Sequence, residues 1–213
     1  RNSFMKLFRY RDASTVKPGL LDATGRFRSL AGHLKDLDPD HLHDDVLAEF
    51  AALNPEELPE ITTPVSYAPC VGGTGKFICI GLNYSDHAAE AGMDIPEEPI
   101  VFFKATSAIV GANDEVQIPY RSEKTDWEVE LGVIIGQEAK HIPEERALEA
   151  VAGYCVVNDL SERAFQLERG GQWVKGKSCD TFGPVGPWLV TRDEIPDPQA
   201  LDMWLSVDGT RYQ

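Results

Sequence analysis

From Phe77 onward the chain is written in apolar runs of strand length, which restricts it to a sheet-dominated fold. Phe77-Ile78-Cys79-Ile80-Gly81-Leu82, Ile100-Val101-Phe102-Phe103 and Tyr154-Cys155-Val156-Val157 are each too short for a core helix and rich in β-branched or aromatic residues. Trp127 to Ile135, Val185 to Val190 and Met203 to Val207 read the same way. Helical spacing is confined to brief stretches: within Asn83 to Gly92, over Ala147 to Val151, and over Ser161 to Arg169, where Gly170-Gly171 supplies a stop. Upstream, Lys6 to Leu30 reads as short strands joined by tight turns, and His33 to Leu53 turns to helical spacing before Pro55, Pro59 and Pro64. Strict strand–helix alternation is absent. The expected class is therefore α+β, mostly β, with a mixed or antiparallel sheet. Residues 5–69 are expected to form a small N-terminal domain and residues 70–213 the main body. Arg1 to Phe4 read as a cloning remnant ahead of a natural start at Met5.

Charge narrows the partners. A formal net charge of −15 repels a phosphate backbone or an anionic bilayer, so neither nucleic acid nor membrane is expected. No apolar run approaches the roughly 18 residues of a membrane span. Cys70, Cys79, Cys155 and Cys179 form no C-x-x-C pair, and two of them sit inside apolar runs. Free thiols in a reducing cytoplasm are the expectation, without a disulfide framework or zinc knuckle. Acidic small molecules stay admissible, because a bound divalent cation inverts the local field.

Trp127-Glu128-Val129-Glu130-Leu131-Gly132 is the segment richest in chemistry. Alternation along a strand puts Glu128 and Glu130 side by side on one face. Two adjacent carboxylates repel unless something positive lies between them, and oxygen ligands suit Mg²⁺, Mn²⁺ or Ca²⁺. The other reading is a strand whose polar face meets water. Asp159 ends the buried strand that closes on Asn158, where it reads either as a third metal ligand or as an N-cap for the helix beginning near Ser161. His87 and Glu90 are spaced to share a helical face, which suits a carboxylate-oriented general base, or a plain surface pair. Lys104 ends an apolar run and Lys177 lies in Gly176-Lys177-Ser178. Each reads as an anion-stabilising group or as a solvent-reaching lysine. Arg163 and Gln166 are spaced to share a face of the helix after Asp159.

In this order, Gly81-Leu82-Asn83-Tyr84 with His87 and Glu90, Phe102-Phe103-Lys104-Ala105-Thr106-Ser107, the Glu128/Glu130 strand, Asn158-Asp159-Leu160-Ser161-Glu162-Arg163, and Gly176-Lys177-Ser178 with Phe182-Gly183-Pro184 resemble the fumarylacetoacetate hydrolase superfamily. The resemblance covers about residues 75–213 and implies a mixed β-sandwich roll of that family's C-terminal-domain type. It implies Mg²⁺ or Mn²⁺ on Glu128, Glu130 and Asp159, with Ca²⁺ as a crystal substitute. His87, Glu90 and Lys177 take catalytic roles, and Arg163, Gln166, Lys104 and Tyr84 contact substrate. The implied reaction is hydrolysis of a carbon–carbon bond in a small 2,4-diketo acid, such as an acylpyruvate, a fumarylacetoacetate-like compound or a diketo-deoxy sugar acid. His87 would activate water and an enolate would leave. Oxaloacetate decarboxylation, 2-hydroxyhepta-2,4-diene-1,7-dioate isomerisation and ureidoglycolate cleavage are alternatives on the same scaffold. A non-catalytic fold relative is the alternative of another class. A homodimer is also implied. Ala164 stands where many members carry Asp, and Cys179 where many carry Phe. The family's Gly-Thr-Pro loop does not occur by Gln213, so the catalytic domain is expected to be incomplete at its C-terminal end.

Overall fold

The computed structural model describes residues 5–90, 92 and 94–213, without the side chains of His87 and Glu90. An eight-stranded sheet organises these residues. Its N-terminal edge is a meander of β1 (Lys6–Asp12), β2 (Thr15–Leu21) and β3 (Phe27–Ser29). Helix α1 (Asp44–Ala52) follows, turning Leu47 and Phe50 inward. Two strands then stand apart as an antiparallel hairpin pair, β4 (Phe77–Gly81) and β5 (Ile100–Lys104), with the short α2 (Ser85–Glu90) between them. Next come β6 (Ile109–Gly111), β7 (Thr125–Asp126), β8 (Val129–Ile135), β9 (Val151–Asn158) and β10 (Ser161–Glu162). Helices α3 (Arg163–Leu167) and α4 (Val174–Lys177) lead into β11 (Gly183–Val185) and β12 (Leu189–Thr191). A terminal hairpin pairs β13 (Ser206–Val207) with β14 (Thr210–Arg211) across Asp208-Gly209.

The large sheet runs β3-β2-β1-β12-β9-β11-β6, and β8 also pairs with β9. Among the described residues of this sheet only the β11–β6 pairing is parallel. The strands of residues 5–69 thus extend the same sheet as the main body, through β1 against β12. One core joins both stretches: Leu7, Leu20, Leu30, Leu37 and Phe50 pack with Cys155, Val157, Val185 and Leu189. Each of the Leu, Val and Phe side chains among them contributes about 1.5–3 kcal/mol by leaving water. Mostly-β architecture with few short helices is what the apolar runs require.

Several local expectations shift. The helical spacing over His33 to Leu53 yields α1 only from Asp44, preceded by a 3-10 turn at Pro39–His41. Its N-cap position is His43, which makes no side-chain cap bond. The segment Val185 to Val190 is two strands rather than one, because Pro187 interrupts it after a cis Gly186–Pro187 bond. The strand near Trp127 begins two residues later, at Val129. The apolar alternate residues Val133 and Ile135 are 48% and 58% exposed, while Ile134, on the glutamate-bearing side, packs against the core. All four cysteines are free thiols. Among the described residues no helix is long and apolar enough to cross a membrane.

Candidate active site

Strand pairing brings the acidic residues together. β8 and β9 are in register with Val129 opposite Asn158. Just beyond that pair, the Glu128 amide donates to Asn158 Oδ1 (3.1 Å) and the Asp159 amide donates to the Glu128 carbonyl (2.9 Å). Glu128 and Asp159 are therefore locked as neighbours across two strand ends, although 31 residues separate them in sequence. Glu130 follows on the same side of β8. All three carboxylates line one cavity of about 1200 Å³, shared with Asn83, Tyr84, Arg163, Gln166 and Lys177.

Two buried lysines grip this cluster. Lys104, at the end of β5, is 2% exposed and places Nζ 2.6 Å from Asp159 Oδ1 and 2.9 Å from the Leu160 carbonyl. Lys177, also 2% exposed, donates to both Glu128 carboxylate oxygens (2.9 Å each) and to Asp159 Oδ2 (2.8 Å). The Gly176-Lys177-Ser178 triplet explains how a lysine gets there. A Cβ at Gly176 would collide with the Glu162 carbonyl and press on Gln166 Cβ at 2.7 Å, so glycine lets α4 lie directly on β10 and α3. Ser178 Oγ accepts the Ala105 amide (2.7 Å) and ties α4 to the end of β5. Neither lysine reaches solvent as a snorkelling side chain would.

Arg163 completes the ring. Its guanidinium contacts Glu128 Oε1 (2.6 Å) and Asp126 Oδ2 (2.7 Å), and donates to Gln166 Oε1 (3.1 Å). Gln166 is buried, so the pair faces the site rather than solvent. The N-cap of α3 is Glu162, whose side chain accepts the Ala164 amide, so Asp159 is not the cap. Asp126 and Glu162 were not singled out by sequence. Glu162 is fully buried and accepts from Ser122, Glu123 and Lys124 as well, which fastens the 122–126 loop that carries Asp126. Asp126 is placed by tertiary contacts, the β7–β10 pairing with Ser161 and the ion pair with Arg163, and no local sequence signal announces it.

Electrostatics follow the geometry. Burial, then Glu128 and Asp159, push the Glu130 carboxyl up to about 7, against a partly opposing hydrogen bond from Tyr84. Burial would also raise Asp159, but Lys104 and Lys177 outweigh it and hold that carboxyl below its ordinary range. Burial lowers Lys104 more than Asp159 restores it. Burial carries the Tyr84 hydroxyl up to about 12; the hydroxyl accepts the Leu131 amide at 3.3 Å. Carboxylate oxygens are the donors a hard divalent cation takes, and Glu128, Glu130 and Asp159 line the same cavity, with Glu130 in no ion pair among the described residues. As placed, no three His, Cys, Asp or Glu side chains among the described residues form a group that could hold a metal ion; Lys177 spans Glu128 and Asp159 instead. His87 and Glu90 lie on the backbone of α2, directly after the cavity-lining Leu82, Asn83 and Tyr84, and their side chains fall outside the described residues.

A mostly-β mixed sheet thus gathers carboxylates and buried lysines at its strand ends around one cavity. Residues 76–213 match the C-terminal domain of fumarylacetoacetate hydrolase, and the chain belongs to that family. A Burkholderia cenocepacia protein provisionally named a hydrolase is 61% identical over 209 residues, which is 98% of this chain and 74% of that protein. Fumarylacetoacetate hydrolase of the psychrophilic Exiguobacterium antarcticum shares the fold with a TM-score of 0.76 at 32% identity, over 91% of this chain and 69% of its own. A 2-hydroxyhepta-2,4-diene-1,7-dioate isomerase of Mycobacterium marinum gives a TM-score of 0.70 at 28% identity, over 98% of this chain and 73% of its own.

Proposed function

We propose that this chain is a divalent-metal-dependent hydrolase that cleaves a carbon–carbon bond in a small 2,4-diketo acid. The observation that carries this reading is the convergence of Glu128, Glu130 and Asp159 on one cavity beside Lys104, Lys177 and Arg163. Glu128, Glu130 and Asp159 would hold Mg²⁺ or Mn²⁺, which when bound supplies Lewis acidity toward the substrate's carboxylate and 2-oxo group. The chain's own residues do the rest. Lys177 exchanges its bridge between Glu128 and Asp159 for the developing oxyanion of the substrate. Arg163, braced by Asp126 and Gln166, steadies the substrate carboxylate. Lys104 keeps Asp159 ionised and fixed. His87, with Glu90 one turn along α2, takes a proton from the attacking water. Tyr84, held by the Leu131 amide, positions Glu130.

The test is a panel of 2-oxo and 2,4-diketo acids assayed with Mg²⁺, after EDTA, and after Mn²⁺ is restored. The expected result is turnover of 2,4-diketo acids that EDTA abolishes and Mn²⁺ returns. Turnover that survives EDTA, or turnover of oxaloacetate alone, contradicts the proposal.

A further inference from the structure

One wall of the cavity remains without a role. Phe102 of β5 and Trp173, immediately before α4, meet edge to face with ring centroids 5.4 Å apart, and both line the carboxylate cavity. The wall starts next to the proposed chemistry: Lys177 Nζ, bonded to Glu128 and Asp159, lies 5.1 Å from the Phe102 ring centroid. Gly81 makes the seat for the indole. A Cβ there would stand 2.9 Å from Trp173 Cζ3 and 3.3 Å from Cη2, so only a glycine lets the ring lie against the β4 backbone. Ile100 and Leu167 continue the apolar lining.

Charge near this wall is already spent. Of the cavity-lining cations, Lys177 pairs with Glu128 and Asp159 and Arg163 with Glu128 and Asp126, and on the diketo-acid reading both are committed to the reacting end of the substrate, its oxyanion and its 1-carboxylate. The remaining one, Lys76, precedes Phe77, which pairs with Lys104 at the opposite end of the hairpin from Gly81 and Ile100. Among the described residues no further lining cation would receive a carboxylate laid on the Trp173 side, so its desolvation there would be costly. A planar apolar group would instead stack on the aromatic pair.

Resting on the diketo-acid reading of the same cavity, we propose that Phe102 and Trp173, seated on Gly81, form the subsite for the substrate's distal substituent and select an aryl or bulky alkyl group over a terminal carboxylate. The experiment measures kcat/KM of the full chain with Mg²⁺ for three 2,4-dioxo acids that end in phenyl, methyl or carboxylate. The phenyl acid is expected to lead the methyl acid by about tenfold or more, with the carboxylate acid last. Trp173→Ala should cut the phenyl-to-methyl ratio about tenfold. Gly81→Ala, which presses on the indole without removing it, should cut the same ratio should Trp173→Ala fail to fold. A preference for the carboxylate acid, or a ratio that both folded variants leave unchanged, overturns the subsite. If wild type turns over none of the three, the hydrolase reading fails by itself, and calorimetry with phenylpyruvate against pyruvate decides the subsite. Tighter phenylpyruvate binding that either variant weakens supports it, and equal binding overturns it.

Discussion

Lys104 shows how much one residue can carry. It ends an apolar run, is 2% exposed, and spends its charge on Asp159 and the Leu160 carbonyl. Removing it leaves a buried carboxylate unpaired on that side, which typically costs about 3–5 kcal/mol. Lys104→Met should therefore lower the urea midpoint by an amount equivalent to roughly 3 kcal/mol, partly relieved because Lys177 still reaches Asp159. A loss below about 0.5 kcal/mol, within the range of ordinary surface changes, would mean the pair is not buried in solution. Sequence could mark Lys104 and Lys177 as out of place, since a lysine among apolar or glycine residues is unusual. It could not show that both are sealed from water, because their partners lie 55 and 18 residues away. Asp126 and Glu162 were invisible for the same reason: each has an ordinary loop or helix-start context, and their main partners, Arg163 for Asp126 and the 122–124 segment for Glu162, lie 37 to 40 residues away.

At the scale of elements, the strands were legible where alternation or an uninterrupted apolar run declares them, as in β4, β5 and β9. Boundaries were not. β8 begins at Val129 because Glu128 spends its amide on Asn158 Oδ1 and its carbonyl on Asp159, outside the regular ladder. On β8 the glutamate side leads to Ile134, which packs against the core, while Val133 and Ile135 stay half-exposed. β9 is the hinge of the whole sheet, pairing β8, β11 and β12. Gly153 permits the last of these contacts: a Cβ there would collide with the Val190 carbonyl and stand 2.9 Å from its carbon. Gly153→Ala should force β12 away from β9 and loosen the β1–β3 meander that hangs on it. The expected loss is about 1–3 kcal/mol or more, with amide exchange accelerating first in β12 and β1. Uniform acceleration across all strands would contradict that order.

For the molecule as a whole, the acidic cavity links stability to pH. In the metal-free protein, Glu130 holds its proton up to about 7 because burial and the neighbouring Glu128 and Asp159 carboxylates oppose its charge. A group whose folded pKa is raised stabilises the fold fully below its unfolded value and loses that contribution as pH rises through the folded value. The metal-free protein should thus lose thermal stability between about pH 4.5 and pH 7, and Glu130→Gln should flatten that slope. Mg²⁺ should raise Tm more at pH 8 than at pH 5.5, because less proton has to leave. An unchanged slope in Glu130→Gln would assign the effect to another group. The most direct measurement is anomalous diffraction from crystals soaked in Mn²⁺. The expected result is one strong peak bounded by the carboxylates of Glu128, Glu130 and Asp159, with Lys177 withdrawn from its bridge. A map with no peak there at saturating Mn²⁺, and Lys177 still joining Glu128 to Asp159, would contradict the metal-dependent reading.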